Sequence, residues 1–302
     1  MIKKNKIPDF FIIGAPKTGT TSLANYLGQH EDIFFSDPKE PEYFAVNFNR
    51  RPISNIDNYL KLFNKIDSKD NILIGEGSVN YYYDINSIKN ILSYNPNAKF
   101  IFMLRKPIDL VQSLHSQLVF QGEENILDFE LAWKMINERK KGNKIPFLCR
   151  DSKWLFYSEW GKLGNRLENL LTVIDKDSLK IIFFEDFINN TSQIFDEVLH
   201  FLNLKNKNKI IFSTLNKRKQ IKSLYIQKMV HLMGDISMKL QNFFGIKFKF
   251  GIANFIKKIN TRTSINKKIN KNFRLELELF FKEDIKKLSE LTGVDLKHWY
   301  TK

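Results

Sequence analysis

Cysteine is almost absent, with Cys149 alone among 302 residues. A single thiol excludes an intramolecular disulfide framework and a cysteine-based structural zinc site. The five histidines are scattered and show no ligand spacing, so no metal is expected. Glycine and proline are scarce beside heavy use of Lys, Asn, Ile and Phe. That usage resembles an AT-rich coding bias and weakens inference from the number of lysines alone. No apolar run reaches the length of a membrane span. Met1 to Lys6 is basic, but Phe10 to Gly14 is too short for the core of a secretory signal. The expectation is a cytoplasmic protein, with attachment at the inner membrane surface left open. There is no internal repeat and no linker that argues for a second domain.

What is present is material for a large core. Hydrophobic residues make up 43% of the chain and 27 residues are Phe, which excludes a disordered chain. The formal net charge of +15 favours anionic partners such as nucleotides, acidic glycans, membrane surfaces or nucleic acid, without choosing between them. Short apolar runs alternate with amphipathic segments, the pattern of βαβ units and a parallel sheet. The expected strands are Asp9 to Gly14, Ile72 to Glu76, Lys99 to Leu104 and Leu179 to Phe184. Helices are expected over Thr20 to Gln29, Pro107 to Val119, Phe129 to Glu138, Trp154 to Leu171 and Thr191 to Leu202. A last helix carries Leu277, Phe280, Phe281, Ile285, Leu288 and Leu291 as one stripe and ends at Gly293. The fold class is α/β, a three-layer P-loop-type fold with a central parallel sheet flanked by helices. It is read as a single domain over 1–302, with 205–270 a basic loop and helical acceptor-side cover.

The most informative stretch is Gly14-Ala15-Pro16-Lys17-Thr18-Gly19-Thr20-Thr21-Ser22. It follows an apolar strand and opens a helix, where converging N–H groups and the helix dipole favour an anion. The nucleotide-triphosphatase loop ends in Gly-Lys-Ser/Thr. Here Gly14 and Gly19 keep the glycine spacing, but Thr20 takes the lysine position and Lys17 lies inside the loop. A single ammonium inside the loop suits a transferred group that carries less charge than a γ-phosphate.

The stretch Pro16 to Thr21 resembles the signature loop of the sulfotransferases that use 3′-phosphoadenosine 5′-phosphosulfate (PAPS), in particular the branch of the heparan sulfate enzymes and their bacterial relatives. Three more elements follow in the family's order. Lys39-Glu40-Pro41-Glu42-Tyr43-Phe44 resembles Lys-Glu-Pro-His-Tyr-Phe, with Glu42 in the histidine position. Gly75-Glu76-Gly77-Ser78-Val79-Asn80-Tyr81 resembles Gly-Glu-x-Ser-Pro-x-Tyr. Leu104-Arg105-Lys106-Pro107, leading to Ser113, resembles the second nucleotide element.

The resemblance implies that Lys17, Thr18, Gly19, Thr20, Thr21 and Ser22 hold the 5′-phosphate, with Lys17 supporting the leaving group. Arg105 and Ser113 would bind the 3′-phosphate, aided by a basic loop at Lys217, Arg218 and Lys219. Glu76, at a strand end, is the expected general base. Lys39 would stabilise the sulfuryl oxygens or hold Glu76. His115 is the alternative base, although its position suits packing or substrate contact better. The implied activity is sulfuryl transfer to a hydroxyl or amine on a glycan or a small hydroxyl compound, without nucleic acid. Residues 243–259, basic and amphipathic, read first as an acceptor-side helical cover packed on the core, with peripheral membrane contact as the alternative. Two rivals stand beside this reading. A P-loop kinase or triphosphatase would need magnesium, and a non-catalytic polyanion binder rests on charge alone.

Overall fold

The computed structural model describes residues 7–49, 51–64, 72–206, 210–213, 219–221, 261–263 and 269–300. They fall into two compact units, the first formed by Met1–Leu110, Trp160–Leu215 and Glu276–Lys302, the second by Val111–Glu159 and Asn216–Leu275.

The first unit is built on a parallel five-stranded sheet. Its strands are β1 (Phe10–Gly14), β2 (Ile33–Phe35), β3 (Leu73–Gly77), β4 (Lys99–Leu104) and β5 (Leu179–Phe183), in the order β2-β3-β1-β4-β5. Every residue of β1 is buried, as an apolar run covered on both faces requires. Alternation divides its side chains. Phe10 and Ile12 join Ile101 and Met103 of β4 beneath α1 (Thr20–Leu27) and α10 (Thr191–Phe201), packing on Leu23, Leu27, Phe195 and Leu199. Phe11 turns the other way and stacks on Phe100 at 6.0 Å, with Phe44 and Tyr81 edge-on. On that face Tyr82 meets Phe102 and Trp160. The expected three-layer architecture is present.

Helices α2 (Ile56–Lys61), α3 (Ile85–Tyr94) and α9 (Phe184–Asn189) were not foreseen, nor was β2. The expected helix from Pro107 is α4 (Pro107–Gln121). Trp154 to Leu171 is instead a short turn over Ser152–Leu155, then α7 (Tyr157–Gly161) and α8 (Leu163–Leu170). Phe156 and Lys162 have non-helical dihedrals at the breaks. The second break lets Gly164 lie against α11 (Lys271–Thr292), where an added Cβ would sit 2.2 Å from the Asp284 carbonyl. Asp284 then accepts from the Gly164 and Asn165 amides at 2.8 and 2.9 Å, closing the start of α8. The stripe on α11 is Phe273, Leu277, Phe281, Asp284, Ile285 and Leu288, with Phe280 on the exposed side. Gly293, at φ 71°, ends the helix as expected.

In the second unit the expected helix Phe129 to Glu138 is broken at Met135 into α5 (Phe129–Lys134) and α6 (Ile136–Lys140). A buried bidentate pair joins Arg139 to Glu124 at 2.7 and 2.8 Å, and Tyr157 donates to the same carboxylate at 2.7 Å. Strands β6 (Lys219–Ile221) and β7 (Thr261–Thr263) pair antiparallel inside the stretch expected as basic loop and helical cover. Lys217, Arg218 and residues 243–259 lie outside the described residues, as does the side chain of Lys219. Among the described residues no helix is long and apolar enough to cross a membrane.

Candidate active site

The C-terminal ends of β1 and β3 lie side by side, with Ile12 paired to Gly77 and the Ser78 amide donating to the Ile12 carbonyl at 3.1 Å. Chain leaving both strands therefore enters one crevice, where parallel α/β sheets take ligands. From β1 emerges the phosphate loop. A Cβ on Gly14 would lie 2.3 Å from the Tyr82 ring, so only glycine lets the chain turn there. Lys17 sits in the left-handed region at φ 66°, and Gly19, at φ 90°, precedes the first residue of α1. Thr18 is fully buried, its hydroxyl donating to the Ala15 carbonyl at 2.6 Å. Its contribution is to shape the loop; Thr21 is exposed and Ser22 half-buried at the helix start. The first-turn amides of α1 point out of the helix end, where a phosphate is favoured.

Arg105 directly follows β4 and reaches back to the loop. Its Nη1 donates to the Lys17 carbonyl at 2.8 Å and its guanidinium lies 4.5 Å over the Phe184 ring. The arginine expected to address the 3′-phosphate thus also clamps the left-handed residue of the loop. Ser113, on α4, is buried in the second unit.

After β3 comes the second wall. Lys39 pairs with Glu40, their side chains 17% and 31% exposed. The Lys39 stem runs beside Gly77, where a Cβ would stand 3.3 Å from Lys39 Cε and 3.2 Å from Phe35. Glu40, at φ 65°, is tied down twice: its amide donates to the Gly77 carbonyl at 3.0 Å and its Oε2 accepts from the Val79 amide at 2.8 Å.

Glu76 departs from its expected role. It points to the Phe11 face and is wholly buried. Its carboxylate accepts from Tyr59 at 3.0 Å, Tyr81 at 2.9 Å and Ser78 at 2.7 Å. Burial pushes its pKa up to about 7, against the pull of those three hydrogen bonds. That value alone would suit a base, but a carboxylate enclosed by three hydroxyls cannot meet an acceptor. The reason is the strand's alternation, which puts residue 76 on the Phe11 face, where Tyr59, Tyr81 and Ser78 close over it. Glu40, half-exposed and beside Lys39, is the carboxylate that sequence reasoning passed over. Its adjacency to Lys39 before Pro41 was the available signal. His115 is likewise a core residue: its Nε2 lies 2.9 Å from the Ile126 carbonyl, Phe129 and Tyr157 enclose it, and burial lowers its pKa.

The family described as "Sulfotransferase domain" matches this chain over residues 7–245. The chain belongs to that family. Among its curated relatives, human carbohydrate sulfotransferase 15 is 28% identical over 257 residues, covering 66% of this chain and 44% of that protein. Mouse bifunctional heparan sulfate N-deacetylase/N-sulfotransferase 3 is 27% identical over 201 residues, covering 66% of this chain and 22% of that protein. This sulfotransferase-family chain thus spans less than half the length of these relatives. A solved sulfotransferase from Alicyclobacillus acidocaldarius has the same fold, with a TM-score of 0.72 and 23% identity over 97% of this chain and 99% of that one.

Proposed function

We propose that this domain transfers a sulfuryl group from PAPS to an acceptor hydroxyl or amine on a carbohydrate. The observation that carries the reading is the loop between β1 and α1. It puts a lysine, rather than a Gly-Lys-Ser/Thr ending, at a helix N-terminus in a chain of the sulfotransferase family. The first-turn amides with the hydroxyls of Thr20, Thr21 and Ser22 would hold the 5′-phosphate. Arg105 supplies a fork suited to the 3′-phosphate. The carbohydrate acceptor is supported by the carbohydrate and heparan sulfate sulfotransferases among the relatives.

In this reading the acceptor oxygen or nitrogen attacks sulfur in line, and the bond from sulfur to the phosphate oxygen breaks. The departing 3′-phosphoadenosine 5′-phosphate takes the electron pair of that bond, with the Lys17 ammonium beside the leaving oxygen. The acceptor proton passes to the Glu40 carboxylate. Lys39 offsets charge on the sulfuryl oxygens and holds Glu40 in its left-handed turn. Positioning and fixed charge supply most of the rate, as in phosphoryl transfer.

Titration calorimetry with 3′-phosphoadenosine 5′-phosphate and with 5′-AMP tests the reading. Loss of a charge-assisted phosphate contact is worth about 1.5–3 kcal/mol, so the bisphosphate should bind roughly ten- to a hundredfold more tightly. Equal affinities would remove PAPS as the donor. Magnesium-dependent binding of ATP in its place would point to a kinase.

A further inference from the structure

The half-exposed pair Lys39–Glu40 belongs to a turn whose backbone is under strain. Glu40 and Glu42 both have positive φ, 65° and 54°, and neither is glycine. Such conformations persist only where surrounding contacts over-determine them. Two of these contacts hold Glu40 directly, through Gly77 and Val79. The next two come from hydroxyls. The Glu42 amide donates to Ser78 Oγ at 3.0 Å, and the Phe44 amide donates to the Tyr81 hydroxyl at 3.3 Å. Each of these hydroxyls donates its own proton to Glu76.

A hydroxyl has one proton and two lone pairs. An ionised carboxylate is an acceptor without protons, so Ser78 and Tyr81 must turn their hydrogens toward it. Their lone pairs are then presented to the amides of Glu42 and Phe44. We infer that Glu76 is a positioning residue: through Ser78 and Tyr81 it fixes the strained turn 39–44 and so presents Lys39 and Glu40 to the crevice. Tyr59 donates to the same carboxylate, yet its hydroxyl bridges neither of those amides. It separates loss of a hydrogen bond to Glu76 from loss of the bridge. The link to catalysis rests on the sulfotransferase reading; the link from Glu76 to the turn does not.

Amide hydrogen exchange on the full chain, at a pH above the Glu76 pKa of about 7 so that the carboxylate is ionised, tests that link without an acceptor. Ser78→Ala and Tyr81→Phe each delete a bridge, and Glu76→Gln adds an amide donor that forces at least one hydroxyl proton to turn away. Each should speed exchange in a peptide covering 39–46 by roughly five- to tenfold, the worth of one ordinary hydrogen bond. The peptide covering 14–23 should be unchanged. Tyr59→Phe should affect 39–46 less than Tyr81→Phe does, although both keep their ring. Equal acceleration in these two variants, or unchanged exchange in Glu76→Gln, would overturn the inference. If Ser78→Ala does not fold, the pair of tyrosine variants decides. Where turnover is measured with PAPS, Glu76→Gln should lower kcat and leave the nucleotide KM within about twofold. Failure of the unmodified protein to bind 3′-phosphoadenosine 5′-phosphate would sink the proposed function and leave the exchange result standing.

Discussion

Lys17 and Glu40 share a backbone state that non-glycine residues seldom adopt, with φ of 66° and 65°. Each costs on the order of 1–2 kcal/mol relative to ordinary dihedrals. Arg105 holds the first through its carbonyl, and Gly77 with Val79 holds the second. Replacing Lys17 by glycine therefore separates strain from chemistry. Lys17→Gly should keep or raise the melting temperature, yet lower turnover by about a hundredfold or more through loss of the leaving-group cation. Near-normal turnover in that variant would remove Lys17 from the mechanism. The two carboxylates are distinguished in the same way. Glu40→Gln should cost roughly a hundred- to ten-thousandfold in turnover. Glu76→Gln should cost about tenfold, because it acts through hydrogen bonds to the turn. Reversed magnitudes would return the base to Glu76.

Glu76 also predicts how stability depends on pH. In the folded protein its pKa is about 7, raised by burial and by the charge of Glu40, while Tyr59, Tyr81 and Ser78 oppose the rise. In the unfolded chain a glutamate titrates near ~4.3. The folded state therefore binds this proton more tightly. The group's stabilising contribution is complete below the unfolded pKa and is lost as pH rises through about 7. The loss amounts to about 3–4 kcal/mol at most. Urea denaturation at acid and at mildly alkaline pH should show Glu76→Gln with a flatter profile than the unmodified protein. Parallel profiles would mean that Glu76 does not titrate in this range.

At the scale of elements, what was legible in the sequence depended on how far along the chain a cause lies. β1, β4, the phosphate loop and α1 were readable because a buried run, a glycine pair and a helical stripe are local signals. β2 has three residues, too few to show a period. The fate of Glu76 was hidden because alternation at a strand end does not show which side chains will close over it. Two of its donors, Ser78 and Tyr81, follow closely in sequence, but the third, Tyr59, comes from α2. Asp284 is similar. It lies within the apolar stripe of α11 and caps α8 far away in sequence. Asp284→Ala should destabilise by about 0.5–2 kcal/mol, as loss of a helix cap does. Gly164→Ala should cost more, since its methyl would meet the Asp284 carbonyl at 2.2 Å and backbone must move. Denaturant midpoints of the two variants check the order, and the reverse order would show that the α8–α11 contact is looser than its geometry.

At the scale of the whole molecule, the net charge of +15 bears on which carbohydrate is used. A field of one sign raises the local concentration of an anionic acceptor, and its reach is set by salt. The Debye length falls from about 30 Å at 0.01 M to about 3 Å at 1 M ionic strength, so attraction beyond direct contact disappears across that range. The chemical step depends on groups in contact, the Lys39–Glu40 pair and the loop lysine, which salt screens far less. If the acceptor is a polyanionic glycan, its KM should therefore rise by about tenfold or more between low and high salt while kcat stays nearly constant. A neutral glycan measured alongside, with the nucleotide held saturating at every salt concentration, should show little change in KM. Saturation removes the salt dependence of the anionic donor, so the difference between the two glycans isolates the acceptor side. Matching salt dependence for both would mean that the surplus charge serves something other than acceptor capture, and the acceptor would then be sought among neutral sugars.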